Sequence, residues 1–88
     1  MFELEFSKRA QKELKKIQKD DRLLQKLFEI FRDLEKDPHS ANFKMEKLKY
    51  NFQDHFSKRL DKKNRLIYQV LDDRIVVSVI SILGHYEE

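Results

Sequence analysis

The ten residues Arg74–Leu83, RIVVSVISIL, constrain the fold more than any other stretch of the chain. Two interleaved apolar sets, Ile75/Val77/Val79 and Val76/Ile80/Ile82, fall on opposite faces of an extended backbone. A strand that is apolar on both faces belongs inside a sheet, with neighbours on either side. Something earlier in the chain must supply those neighbours and a layer to cover them. MFELEF at the start alternates with period two and reads as a strand. From Phe43 onward the pattern is again extended, with short strands expected at Met45–Lys49, His55–Leu60, Arg65–Leu71 and Ile75–Leu83. DKKN and DD are the turns between the last three.

The covering layer lies between Ser7 and Asp37. Ser7 can cap a first helix whose apolar positions are Ala10, Leu14 and Ile17. Asp20 and Asp21 break that pattern and favour a new helix start. Leu23, Leu24, Leu27, Phe28, Phe31 and Leu34 then form an apolar stripe, with Ile30 at its edge. Pro38 disfavours helical geometry at Asp37 and ends the second helix. The expected fold class is α+β in the order β-α-α-β-β-β-β, two helices on one face of an antiparallel-rich twisted sheet. Residues 1–88 are read as one domain, whose core is adequate but thin at this length. With both helices on one face, the other face is expected to be a binding surface lined by charged side chains.

Several function classes drop out. There is no cysteine, so disulfides and thiolate-metal sites are excluded. One glycine and one proline leave no glycine-rich phosphate loop. No acid or histidine pair has metal-ligand spacing, so neither metal nor cofactor is expected. Neither a leader pattern nor a membrane-spanning run is present, and a cytoplasmic location without membrane attachment is expected. The net charge is only +3, but it is unevenly spread. Lys8, Arg9, Lys12, Lys15, Lys16 and Lys19 face a single acid, Glu13, and a second basic stretch runs from Lys44 to Arg65. A solvated helix face explains the first cluster as well as a polyanion does, while both together suit a nucleic-acid partner.

Metal-free RNA cleavage needs a base for the ribose 2′-hydroxyl, cations around the phosphorus and an acid for the departing 5′-oxygen. Glu46, Lys49, Arg59, Arg65 and the terminal His85-Tyr86 provide residue types for these roles. Each also has an ordinary explanation. Glu46 among Lys44, Lys47 and Lys49 reads equally as a surface ion pair. Arg65 has Asp61 and Asp72 as candidate partners, and Tyr86 can pack on the sheet rim. His39 and His55 receive no role.

The run EKLKYNFQDHFSKRLDKKNRLIYQV and the later His-Tyr add a more specific signal. Glu46, Leu48-Lys49, Asn51, Phe56-Ser57-Lys58-Arg59, Arg65-Leu66-Ile67-Tyr68 and His85-Tyr86 together resemble the Txe/YoeB toxins of the RelE/ParE superfamily. The resemblance implies a RelE-like, microbial-ribonuclease-like fold and the toxin of a type II toxin–antitoxin pair. It implies a ribosome-dependent endoribonuclease that cleaves mRNA in the ribosomal A site and so inhibits translation. In that reading Glu46 is the general base, His85 the general acid, and Arg65 stabilises the transition state. Lys49 and Arg59, with Lys44, hold the phosphate backbone, and Tyr86 positions the RNA. The implied partners are an antitoxin of the Phd/YefM kind with an acidic tail, the bacterial ribosome with its mRNA, and operator DNA only through the antitoxin complex. Lys8, Lys12, Lys15 and Lys19 are assigned to ribosome docking as a hypothesis. A gyrase-inhibiting toxin of the same superfamily and a non-catalytic nucleic-acid-binding domain are the alternatives. Glu87 and Glu88 depart from the family's His-Tyr ending.

A geometric condition comes with this reading. A two-residue Asp72-Asp73 loop pairs Arg65 with Ile80, and strict alternation then puts His85 on the face opposite Arg65. A backbone bend at Gly84 is expected to bring them together.

Overall fold

The structure, a computed structural model, describes residues 1–49 and 54–84. Its elements run β1 (Glu3–Phe6), α1 (Lys8–Ile17), α2 (Asp21–Lys36), β2 (Glu46–Lys47), β3 (His55–Arg59), β4 (Arg65–Leu71) and β5 (Val76–Gly84), the expected order. Both helices begin at side-chain caps. Ser7 Oγ accepts from the Ala10 amide at 3.0 Å, and Asp20 Oδ1 accepts from the Leu23 amide at 3.0 Å. The second helix stops at Lys36, with Asp37 extended before Pro38.

The five strands lie in the order β1-β5-β4-β3-β2, with only the β1–β5 pair parallel. The apolar strand β5 is therefore interior, flanked by β1 and β4. Ala10 and Ile17 of α1 and Leu27, Ile30 and Leu34 of α2 pack against Leu66, Tyr68, Val77, Val79 and Ile82 of the sheet. The helical stripe is rotated from the expected one: Ile30 is fully buried at its centre and Phe28 is exposed. The spacing of Leu27, Ile30 and Leu34 is the i, i+3, i+7 seam of a helix facing a sheet. The Tyr68 hydroxyl ends in this core 3.5 Å from the Pro38 carbonyl oxygen. Burial and the nearby Asp33 charge push its pKa well up.

Two expectations about β5 are corrected. The strand starts at Val76, because the turn before it is not a two-residue loop. Asp72–Arg74 form a 3₁₀ turn, and Ile75 sits in the left-handed region at φ 56°, ψ 46°. A β-branched residue rarely adopts that conformation, which is why DDRI does not announce it. Second, β5 carries two one-residue slips relative to β4. Tyr68 pairs with Val79, Ile67 with Ser81 and Arg65 with Gly84. The first slip turns Ile82 onto the same core as Val77 and Val79, where strict alternation separates them. Gly84, where a bend is expected, has no positive φ, and the His85 that the bend is to place lies outside the described residues. The lack of a side chain at Gly84 serves close packing: a Cβ there meets Ile67 Cδ1 at 2.8 Å and Ser81 Oγ at 2.9 Å.

Candidate functional site

The register assigns each strand residue to a face. Lys58 pairs with Leu66 and Phe56 with Tyr68, all toward the helices. Arg59, Arg65, Ser57 and Ile67 therefore point to the other face, joined by Glu46, which is opposite Ser57. On that face Arg65 Nη1 reaches across β3 to Glu46 Oε1 at 3.1 Å. Glu46 thus has Arg65 as an ion-pair partner, and Arg65 has Glu46 in place of Asp61 or Asp72. The two side chains keep 49% and 24% of their surface, so the pair is open to solvent. The face is not bare: Ser57 and Ile67 are buried on it, and Leu48 of the β2 segment is buried beside them. The Ser57 hydroxyl is buried and has no hydrogen-bond partner among the described residues.

Arg59 and Arg65 are direct cross-strand partners. Like charges in that relation are destabilising. Glu46 offsets Arg65, but among the described residues no carboxylate pairs with Arg59. Two guanidinium groups side by side at one end of an open face make a site for a doubly liganded anion. Lys44 and Lys49 are exposed on either side of Glu46 in the chain. Lys44 follows Phe43 in the left-handed region, at φ 51° and 58° respectively. The Phe43 carbonyl accepts from the Arg59 amide at 2.7 Å, which ties this turn to the end of β3.

A buried pair holds the same turn from the helix side. Lys58 Nζ is fully buried, 3.2 Å from Asp33 Oδ2 of α2, and donates to the carbonyls of Ser40 (3.0 Å) and Asn42 (2.8 Å). Asp33 also accepts from Ser40 Oγ at 2.7 Å and Asn42 Nδ2 at 2.8 Å. Burial alone pushes its carboxyl up, but these donors and the Lys58 charge outweigh it and hold the pKa down. The sequence reading left Lys58 without a role. Alternation in FSKRL carries the signal: with Phe56 and Leu60 inward, Lys58 has to point inward too.

Glu13 is the second residue with a larger part than its sequence context suggests. Its Oε1 accepts from the Ile82 amide at 2.8 Å and from Ser81 Oγ at 3.2 Å, where β5 slips against β4. Ser7 Oγ donates to the Ile80 carbonyl at 2.6 Å. These two side chains continue the ladder that β1 leaves when it turns into α1. Burial pushes the Glu13 carboxyl up; the amides of Ile82 and Leu83, the Ser81 hydroxyl and Arg9 overcome that and lower its pKa.

The structure brings Glu46, Arg65 and Arg59 to one face. Lys8, Lys12, Lys15 and Lys19 are exposed on the far side of the sheet, away from that face. His85 and Tyr86 lie outside the described residues; they follow Gly84, the residue paired with Arg65, in the chain. His39, to which no role is assigned, bonds Asp72 Oδ1 at 2.9 Å and fastens the loop after α2 to the β4–β5 turn. No group of three or more metal-ligating side chains occurs among the described residues. Among them, too, no helix is long and apolar enough to cross a membrane.

Comparison with known proteins gives concordant results. The sequence model of the family described as YoeB-like toxin of bacterial type II toxin–antitoxin system matches residues 6–86. The chain is 34% identical over 59 residues to Toxin YoeB of Escherichia coli O6:H1, covering 67% of this chain and 70% of that one. Among solved structures, it resembles a YoeB/ParE toxin from Agrobacterium tumefaciens with a TM-score of 0.89 at 23% identity, over 97% and 100% of the two chains. It resembles a chain of the heterotetrameric YoeB-YefM toxin-antitoxin complex from Staphylococcus aureus with a TM-score of 0.84 at 27% identity, over 98% and 99%.

Proposed function

The chain belongs to the YoeB-like toxins of bacterial type II toxin–antitoxin systems, and on that premise we propose that it is a metal-independent, ribosome-dependent mRNA endonuclease centred on Glu46 and Arg65. The observation that carries this reading is the 3.1 Å contact between those two groups on the sheet face away from the helices. In the free protein each occupies the other. A scissile phosphate competes for Arg65 and leaves the Glu46 carboxylate to the 2′-hydroxyl. Glu46 then accepts the hydroxyl proton while the 2′-oxygen attacks phosphorus. Arg65 and Arg59, with Lys49 and Lys44 beside them, oppose the charge that builds on the phosphoryl oxygens. His85 donates a proton to the departing 5′-oxygen, and Tyr86 orients the nucleotide. The products are a 2′,3′-cyclic phosphate, or the 3′-phosphate from its hydrolysis, and a 5′-hydroxyl.

The ribosome supplies what the site lacks, a message held in one conformation for in-line attack. Lys8, Lys12, Lys15 and Lys19, on the opposite side of the molecule, serve docking rather than chemistry. The YoeB–YefM complex supports a partner of the same class: an antitoxin whose acidic tail folds over the basic face. The test is brief expression of wild type, Glu46→Gln and His85→Gln in growing cells, with mRNA 5′ ends mapped. Codon-phased cleavage by wild type and its loss in both variants is the expected result. Growth arrest with intact mRNA and damaged DNA contradicts the proposal and indicates a gyrase-directed toxin.

A further inference from the structure

A cleft of about 480 Å³ opens between α2, the turn before β2 and the end of β3. Lys26, Lys44, Arg59 and Lys62 line it, with the Phe43 ring and Asp61. We infer that this cleft is a second phosphate subsite, which holds the RNA backbone of a nucleotide flanking the scissile bond. The inference rests on the nuclease reading for the identity of the strand that occupies it.

Four observations support it. First, the cations of the lining outnumber its acids four to one. Among the described residues none of the four cations pairs with a carboxylate, and the single acid is already engaged. Asp61 accepts from the Lys63 and Asn64 amides at 2.8 and 2.7 Å and from the Asn64 side chain. Cations gathered in excess of counter-charge repel one another and favour an anionic ligand. Second, the cleft is built at a conformational cost. Phe43 and Lys44 are consecutive non-glycine residues in the left-handed region, which side chains with a Cβ disfavour. The Arg59 amide and the buried Lys58 ammonium hold this turn through the carbonyls of Phe43 and Asn42. Strain of this kind, tied down from two sides, is a mark of positioning for a ligand.

Third, an aromatic plane is present. Lys26 Nζ lies 4.8 Å from the Phe43 ring centroid. That contact anchors an α2 ammonium in the lining that also holds Arg59. Fourth, the cleft is continuous with the catalytic face. Arg59 lines it and is also the cross-strand partner of Arg65, and Lys44 is two residues before Glu46. A strand whose scissile phosphate lies at Arg65 passes Arg59 and enters the cleft with its next phosphate. A chain of phosphates fits this arrangement better than an acidic peptide, because tracking cations with an aromatic ring is the usual design for single-stranded nucleic acid.

The test measures binding apart from cleavage. Wild type, Glu46→Gln and the double variant Lys26→Gln/Lys62→Gln are titrated with a 2′-O-methyl oligonucleotide of about ten nucleotides. This probe has no free 2′-hydroxyl. A polyglutamate peptide of equal charge is the control, and far-UV circular dichroism verifies that each variant is folded. Wild type is expected to bind the oligonucleotide, and Glu46→Gln, which releases Arg65 from its carboxylate, to bind it at least as tightly. The double variant is expected to bind it roughly tenfold more weakly, with the slope of log K against log salt shallower by about 1.4, as two lost single-strand phosphate contacts require. Peptide binding is expected to fall less. Unchanged oligonucleotide affinity and slope in the double variant overturn the inference, as does wild type that does not bind the probe. An equal or larger loss for the peptide also overturns it and assigns the cleft to an acidic polypeptide. Wild type that binds as described yet cleaves no message contradicts the nuclease reading alone.

Discussion

At the scale of single residues, the candidate site combines groups that a stable fold has no need to keep together. Arg59 faces Arg65 across a strand pair, and the Ser57 hydroxyl is buried nearby without a partner among the described residues. Neither adds to stability, and both become intelligible if an anion and a base work there. Ser57→Ala removes an unsatisfied polar group. Its unfolding free energy, measured in urea, is expected to equal the wild-type value or exceed it by about 1 kcal/mol; a loss of similar size means that the hydroxyl is satisfied. Gly84→Ala makes the opposite case. Replacing glycine in a strand usually stabilises, but here the new Cβ meets Ile67 Cδ1 and Ser81 Oγ inside contact distance. A loss of about 1–3 kcal/mol is expected from that crowding, and a gain contradicts the packing described. The roles of Glu46 and Arg65 were proposed from residue type and family resemblance, but their partnership was not readable. Three lysines around Glu46 and two acids near Arg65 offered equally good pairs. Only the register, which depends on contacts distant in sequence, selects between them.

At the scale of elements, two side chains the charge pattern hides determine how the strands end. Glu13 supplies the acceptor that β1 no longer offers to Ile82, and thereby stabilises the slip in β5. Lys58 and Asp33 clamp the segment between α2 and β2 that leads into Glu46. Breaking a buried ion pair from one side leaves the other charge stranded. Lys58→Ala is expected to cost about 3–5 kcal/mol, with faster hydrogen exchange at Asn42–Met45 before the rest of the chain. A variant as stable as wild type shows that the clamp is dispensable. Helix starts at Ser7 and Asp20 and the whole span of β4 were legible, since caps and alternation are local signals. The β4–β5 connection was not. Its form depends on Ile75 accepting a left-handed conformation, and no local preference of isoleucine predicts that. Every residue of β5 was consequently placed in the wrong register with β4, although the strand itself was found.

At the scale of the whole molecule, the sheet separates two basic surfaces, one on the outer side of α1 and one around Arg59 and Arg65. The proposed division of labour, docking through α1 and cleavage at Arg65, uses this separation. The fold's acid response follows from three carboxylates held below their ordinary pKa values. Burial opposes the shift in each, and hydrogen bonds and neighbouring cations outweigh it: at Glu13, normally 4.5, at Asp33, normally 3.8, and at the more exposed Asp61, normally 3.8. A depressed folded-state pKa contributes stability that is complete above the unfolded value and is lost as the pH falls through the folded one. Unfolding free energy is therefore expected to be level above about pH 5 and to decline below about pH 4. Glu13→Gln and Asp33→Asn should each make that decline shallower. Stability that rises on acidification contradicts these assignments.

The central claim is that the ribose 2′-oxygen is the nucleophile, freed of its proton by Glu46 and drawn to phosphorus beside Arg65. The most direct measurement uses ribosomes programmed with two messages that differ by one atom, a 2′-hydroxyl or a 2′-deoxy position on the 5′ side of the cleaved bond. Wild-type protein is predicted to cut the first to a 5′-hydroxyl fragment and to leave the second intact at that bond. Cleavage of the deoxy message at the same bond contradicts the account, because the attacking oxygen then comes from elsewhere.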